Sequence, residues 1–135
     1  SAVELFRESE NIEIILNYPT DACKVNGDKE QIMRVFTNII KNATQAIPET
    51  RKGLIEIQIS VQQQNYLISV KDNGTGIEED KRTHIFEPNF TTKTSGTGLG
   101  LAICKNIIER MNGAIGFDSK VNEYSIFYIE LPKQN

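Results

Sequence analysis

The chain has 135 residues, 39% of them hydrophobic and 24% charged, with a net charge of −3 and a pI near 5.2. That length suits one domain, expected over residues 1–135, with a core that needs no disulfide or metal staple. The acidic balance argues against a nucleic-acid binder, which relies on clustered Lys and Arg. No apolar run nears the roughly 18 residues that span a bilayer, so no direct membrane contact is expected of this domain.

Cys23 and Cys104 are too few and too far apart for a metal cluster and read as buried free thiols. A reducing, cytoplasmic compartment is the expectation that follows. The chain opens Ser1-Ala2-Val3 with neither an initiator Met nor a targeting signal, and is expected to be a fragment of a larger protein.

In chain order, residues 2–9 suit a short helix, and Ile12–Leu16 and Ala22–Val25 read as strands separated by the turn residues Pro19-Thr20-Asp21. Asp28 is placed to cap a helix over residues 28–47, which Pro48 ends. Leu54–Val61 alternates apolar with polar, and Tyr66–Lys71 follows a polar connector, predicting an antiparallel hairpin that delivers Asp72 at its end. From Ile77 to Gly98 periodicity is lost, predicting a long loop of the kind that serves as a lid. A helix is predicted over Leu99–Asn112, with Gly113 as its left-handed stop, and strands at Ala114–Phe117 and Ser125–Leu131 close the chain. The order of elements predicts an α+β fold, a two-layer sandwich with helices on one face of a mixed sheet.

Two glycine clusters stand out. Asp72-Asn73-Gly74-Thr75-Gly76 is followed by Gly96-Thr97-Gly98-Leu99-Gly100-Leu101, and two such clusters around one carboxylate suit a nucleotide, the first gripping a base and the second exposing amides to phosphate. On the helix over 28–47, Gln31, Arg34, Asn38, Asn42 and Gln45 fall within about 40° of one line. A solvated helix face normally carries Glu and Lys, whereas each interior Asn costs roughly half a kcal/mol relative to Ala. A neutral amide oxygen beside phosphate suits magnesium, which prefers hard oxygen ligands, and Asn42 is the candidate metal ligand.

With these residues in view, the chain resembles the catalytic, ATP-binding domain of sensor histidine kinases, a branch of the GHKL superfamily with the Bergerat fold. Asn38-Ile39-Ile40-Lys41-Asn42-Ala43 is similar to the N box, Asp72–Gly76 to the first glycine box, Phe86–Lys93 to the F box and Gly96–Gly100 to the second glycine box. The resemblance covers nearly the whole chain. It implies ATP and magnesium as cofactors, and that Asp72 accepts from the adenine amino group. A carboxylate accepts only, so it favours an amine over the carbonyl of guanine.

The resemblance further implies that Gly74 and Gly76 shape the base pocket and that Gly96, Thr97, Gly98, Leu99 and Gly100 present amides to the triphosphate, the Leu99 and Leu101 side chains being core. Lys93 would hold the terminal phosphates, Thr91 and Thr92 would add hydroxyls, and Ser125 would reach adenine through water. Gln45-Ala46 stands where some sensor kinases carry Lys-Tyr, which leaves Lys41 and Arg34 as candidates to meet phosphate charge. Phe86 and Phe90 would pack the lid on the body.

ATP-hydrolysing members of the superfamily carry a glutamate four residues before the magnesium asparagine. Here Asn38 occupies that place, and an amide cannot take a proton from water. The expected activity is therefore transfer of the γ-phosphoryl group to a histidine, with Asn38, Asn42 and Lys93 in the catalytic set. His84, alone in the chain and without a following acidic residue, reads as a surface histidine. The resemblance then implies an acceptor histidine on a dimerisation domain of the same parent protein and a response regulator downstream. A serine-directed anti-sigma kinase of the same fold and a non-catalytic nucleotide sensor are the alternatives.

Overall fold

The computed structural model describes residues 12–17, 29–87 and 100–133. The predicted helix over 2–9, the strand Ala22–Val25, the cap Asp28 and Cys23 lie outside them. Five strands form one sheet: β1 (Ile12–Asn17), β2 (Gly53–Val61), β3 (Asn65–Asp72), β4 (Ala114–Lys120) and β5 (Tyr124–Pro132), in the order β1-β2-β3-β5-β4. β1 runs parallel to β2 and every other neighbouring pair is antiparallel. Helices α1 (Lys29–Ala46) and α2 (Gly100–Arg110) pack on one face, giving the mixed-sheet α+β architecture expected.

Period-two patterning builds that face. Ile55 and Ile57 on β2, Tyr66, Ile68 and Val70 on β3, and Phe127, Ile129 and Leu131 on β5 are buried, while Glu56, Gln58, Lys71 and Tyr128 between them are exposed. Cross-strand register arranges these positions in rows: Ile59, Ile68, Ile129 and Ile115 in one, Ile57, Val70, Phe127 and Phe117 in the next. Against them α1 lays Val35, Ile39, Ile40, Ala43 and Ile47, and α2 lays Cys104, Ile107 and Ile108. Burying one such Ile contributes about 1.5–3 kcal/mol.

The next row along the sheet changes character. Ile55, Asp72, Ser125 and Ser119 are successive cross-strand partners on β2, β3, β5 and β4, so the inward face ends in one carboxylate and two hydroxyls. All three polar residues are buried.

Two sequence expectations shift. α2 ends not on a left-handed Gly113 but on Asn112, whose φ is 61°. The Asn112 N–H donates to Glu109 O at 3.0 Å and the Gly113 N–H to Ile108 O at 2.9 Å, the paired bonds of a Schellman stop. Asn tolerates that conformation, and glycine is needed one residue later for space: a Cβ on Gly113 would lie 2.3 Å from Glu130 O. The segment after Gly76 also holds structure. A 3-10 turn spans Glu79–Lys81, Ile85 is buried, and the Phe86 ring meets Phe117 edge-on at 5.9 Å. Residues 88–99, which include Phe90, lie outside the described structure.

Candidate functional site

The loop after β3 is fastened on two sides. On the α1 side the Thr75 N–H donates to Ala46 O at 3.0 Å, while Arg51 Nη1 donates to Asn73 O at 2.6 Å and Gly74 O at 3.0 Å. The Asn73 side chain locks the loop to the start of β2, accepting from Leu54 N–H at 2.8 Å and donating to Lys52 O at 3.0 Å. On the hairpin side the Asn122 N–H donates to Thr75 O at 2.7 Å and the Ile77 N–H to Ser119 Oγ at 2.7 Å, and Arg82 bonds the carbonyls of Ile77 and Ser119.

These contacts explain the glycines. A Cβ on Gly74 would lie 2.5 Å from Ala46 O, and Gly76 combines a φ of 76° with only 2.6 Å between its Cβ position and Lys120 O. The loop thus holds Asp72 at the buried end of β3, where its Oδ1 accepts the Gly74 N–H at 2.8 Å. Beside it, Ser125 Oγ lies 3.1 Å from Ser119 Oγ.

α1 runs past this loop to the start of α2. The Cys104 thiol lies 3.8 Å from Val35 O, and the position of a Cβ on Gly100 is 3.9 Å from Asn38 Oδ1, so the two helices are antiparallel. Ala46 touches the first glycine box and Asn38 the residue that ends the second. They are a little over two turns apart, about 12 Å along the axis, with Asn42 midway. A ligand laid along α1 with one end at Asp72 and the other at the N-terminus of α2 would pass Asn42, and an anion at that far end would be favoured by the N-terminal amides and dipole of α2.

The expected amide stripe divides. Gln31, Asn38 and Asn42 are half-buried, whereas Arg34 and Gln45 are exposed, as is Lys41 beside the stripe. Among the described residues no group of three or more His, Cys, Asp or Glu could hold a metal by itself. A cation here would need the neutral oxygen of Asn42 together with oxygens of a bound anion.

Of the residues singled out from sequence, Asp72, Gly74, Gly76 and Ser125 cluster at one end of the sheet, and Asn38, Asn42 and Gly100 lie along the helix pair. Thr91, Thr92, Lys93, Gly96, Thr97, Gly98 and Leu99 lie outside the described residues. His84 is exposed and pairs with Glu87 at 3.0 Å. Sequence reasoning missed Arg51, Arg82, Asn73 and Ser119. Arg51 and Arg82 carry no local signal, since both read as solvated turn residues. Ser119 could have been found by extending the alternation Ile115, Phe117 by one inward position. A cleft of about 290 Å³, lined by Leu54, Glu56, Lys71, Asp72, Asn73 and Tyr124 among others, opens beside the end of β3, where the Lys71 ammonium sits 5.1 Å from the Tyr124 ring centroid.

Residues 27–135 match the family described as histidine kinase-, DNA gyrase B-, and HSP90-like ATPase. Sporulation kinase C of Bacillus subtilis strain 168 is 40% identical over 123 residues, covering 90% of this chain and 28% of that protein. The sensory histidine kinase/phosphatase NtrB of Azospirillum brasilense is 36% identical over 138 residues, covering 90% and 34%. The chain thus spans about a third or less of these two relatives. Among solved structures, the nucleotide-free catalytic domain of histidine kinase ThkA superposes with a TM-score of 0.86 at 35% identity, covering 98% of this chain and 88% of that one. Full-length ShkA in complex with AMPPNP superposes with a TM-score of 0.83 at 27% identity, covering 99% of this chain and 29% of that one. The chain belongs to the histidine kinase-, DNA gyrase B- and HSP90-like ATPase family and, within it, is an ATP-binding catalytic domain of the histidine kinases.

Proposed function

We propose that this chain is one domain of a longer two-component sensor kinase and moves the γ-phosphoryl group of magnesium-ATP to a histidine on a dimerisation domain of the same protein. A response regulator then takes the phosphoryl group. The reading places that work in the cytoplasm, the reducing compartment expected from the two cysteines that read as free thiols in the sequence.

The observation that carries this reading is the alignment of Asp72, Asn42, Asn38 and Gly100 along α1, base end to phosphate end. Asp72 accepts from the adenine amino group in a pocket shaped by Gly74, Gly76 and Ser125. Asn42 offers its side-chain oxygen to magnesium, which, when bound, neutralises charge on the phosphate oxygens. The amides of Gly96, Thr97, Gly98, Leu99 and Gly100, with Thr91, Thr92, Lys93 and Lys41, hold the triphosphate in line with the incoming imidazole. The imidazole nitrogen bonds to phosphorus as the bond to the ADP oxygen breaks. Asn38 has no basic atom to activate water, which favours transfer over hydrolysis.

Calorimetric titration with ATP, GTP and ADP in magnesium, followed by transfer to an added histidine-containing dimerisation domain, tests the reading. ATP preference, slow hydrolysis and a phosphorylated acceptor are expected. Rapid hydrolysis by the chain alone, or equal affinity for GTP, overturns it.

A further inference from the structure

Ser119 has no role in the mechanism above, yet its hydroxyl makes three polar contacts beside the row that ends in Asp72. Its Oγ lies 2.7 Å from the Ile77 amide nitrogen, 3.0 Å from the Tyr124 carbonyl oxygen and 3.1 Å from Ser125 Oγ. A hydroxyl has one proton and two lone pairs. The Ile77 amide can only donate and the Tyr124 carbonyl can only accept. The one assignment that makes all three contacts hydrogen bonds gives the Ser119 proton to Tyr124 and makes Ser125 the donor to Ser119.

This assignment sets the polarity of the base pocket. With its proton turned toward β4, Ser125 presents lone pairs only on the side of its cross-strand neighbour Asp72. Ser119 is itself held there by the β4–β5 turn and, through its backbone carbonyl, by Arg82. We infer that Ser119 is a positioning residue for nucleotide selection: by taking the Ser125 proton, it makes the row from Asp72 to Ser125 acceptor-only, so a base edge in direct contact with it must donate there. The inference rests on the assignment of Asp72 to the base and extends specificity beyond that carboxylate. In direct contact with the row, adenine presents an amino group that donates, whereas hypoxanthine presents a carbonyl in that place that meets only acceptors.

The test is calorimetric titration of the 135-residue chain with magnesium-ATP and magnesium-inosine triphosphate, in the parent, Ser119→Ala, Ser119→Thr, Ser125→Ala, the Ser119→Ala/Ser125→Ala double variant and Asp72→Asn. One hydrogen bond of ordinary strength corresponds to about fivefold in affinity. Removing the Ser119 hydroxyl frees the Ser125 proton to meet a carbonyl, so the preference for ATP over inosine triphosphate should fall about fivefold in Ser119→Ala. Threonine, which keeps the hydroxyl, should restore it, and Ser119→Ala should add nothing once Ser125 is alanine.

General loosening of the hairpin would weaken both triphosphates alike and leave their ratio unmoved. An unchanged ratio in Ser119→Ala while Asp72→Asn loses ATP overturns the role of Ser119 alone, as does an equal fall of the ratio in the Ser125→Ala background. Parent-like ATP affinity in Asp72→Asn overturns the placement of the base, and this inference with it.

Discussion

Gly74 and Ala46 meet backbone to backbone: a methyl group on Gly74 would stand 2.5 Å from the Ala46 carbonyl oxygen and 2.8 Å from its carbon. The end of α1 and the loop that presents Asp72 therefore form one rigid unit, and the space between them admits only hydrogen. Gly74→Ala should destabilise the fold by about 1–3 kcal/mol, the usual cost of overpacking, and weaken ATP binding with it. Gly116 on the outer face has nothing within 4 Å of its Cβ position and supplies the control. Urea denaturation of both variants checks this; equal midpoints would show that the loop yields at Gly74.

Asp72→Asn keeps an oxygen for the Gly74 N–H and leaves the buried row isosteric, so the melting temperature should stay near that of the parent. The adenine amino group, however, loses a charged acceptor. Affinity for ATP should fall by about 10- to 100-fold, the range for a hydrogen bond to a charged group. Calorimetry beside circular dichroism melting separates the two effects, and parent-like affinity would remove Asp72 from base recognition.

Arg51 donates from one guanidinium nitrogen to both Asn73 O and Gly74 O, at 2.6 and 3.0 Å. Arg51→Ala strips two carbonyls of a charged donor while leaving the core intact. A loss of about 1–2 kcal/mol is expected, accompanied by weaker ATP binding because the loop carrying Asp72 loses its fastening. Lysine can reach part of the same pair and should recover part of the loss. Chemical denaturation gives the stability, and an unmoved midpoint would mean that the remaining loop contacts suffice.

Asn42 lies midway along α1 between Asn38, beside Gly100, and Ala46, beside Gly74, and is proposed as the magnesium ligand. In Asn42→Ala the affinity for ATP should become nearly independent of magnesium, while in the parent it should drop when the ion is chelated. Titrations with and without a chelator compare the two. A magnesium response preserved in the variant would place the ion elsewhere.

Cys104 is wholly buried, and that burial lifts its thiol from the ordinary range to about 11, against smaller lowering effects of Asn38 and Arg34. The unfolded thiol ionises near 8.5. At intermediate pH the folded chain keeps a proton that the unfolded chain has lost, so stability declines as pH rises from the unfolded value through about 11. Relative to Cys104→Ala, the parent should lose stability with a limiting slope of about 1.4 kcal/mol per pH unit across that window. Parallel profiles for the two proteins, read by denaturant midpoint, would contradict the shift.

Local pattern was a sound guide where one face of an element meets the core. The alternation in β2 and β3, the apolar side of α1 and the breaks at Pro48 and around Gly113 are short-range consequences of burial period and backbone stereochemistry, and each stands in the structure near its expected bounds. The motifs of the first glycine box and of the amide stripe also carried the resemblance to the ATP-binding family that the comparisons show.

Sequence alone thus determined the α+β class, the core strands and helices among the described residues, and the layer they bury, because burial period is a local property. Tertiary structure decided the rest: that β1 joins β2 in parallel and β5 inserts between β3 and β4, that Gly74 is glycine for Ala46, that Arg51 and Arg82 fasten the loop, and that Ser119 stands next to Ser125 and in line with Asp72. Those are pairings between residues up to dozens of positions apart, selected by register and by the fit of two surfaces. No local periodicity encodes them, since an exposed Arg in a turn and an Arg bonded to two carbonyls look the same along the chain.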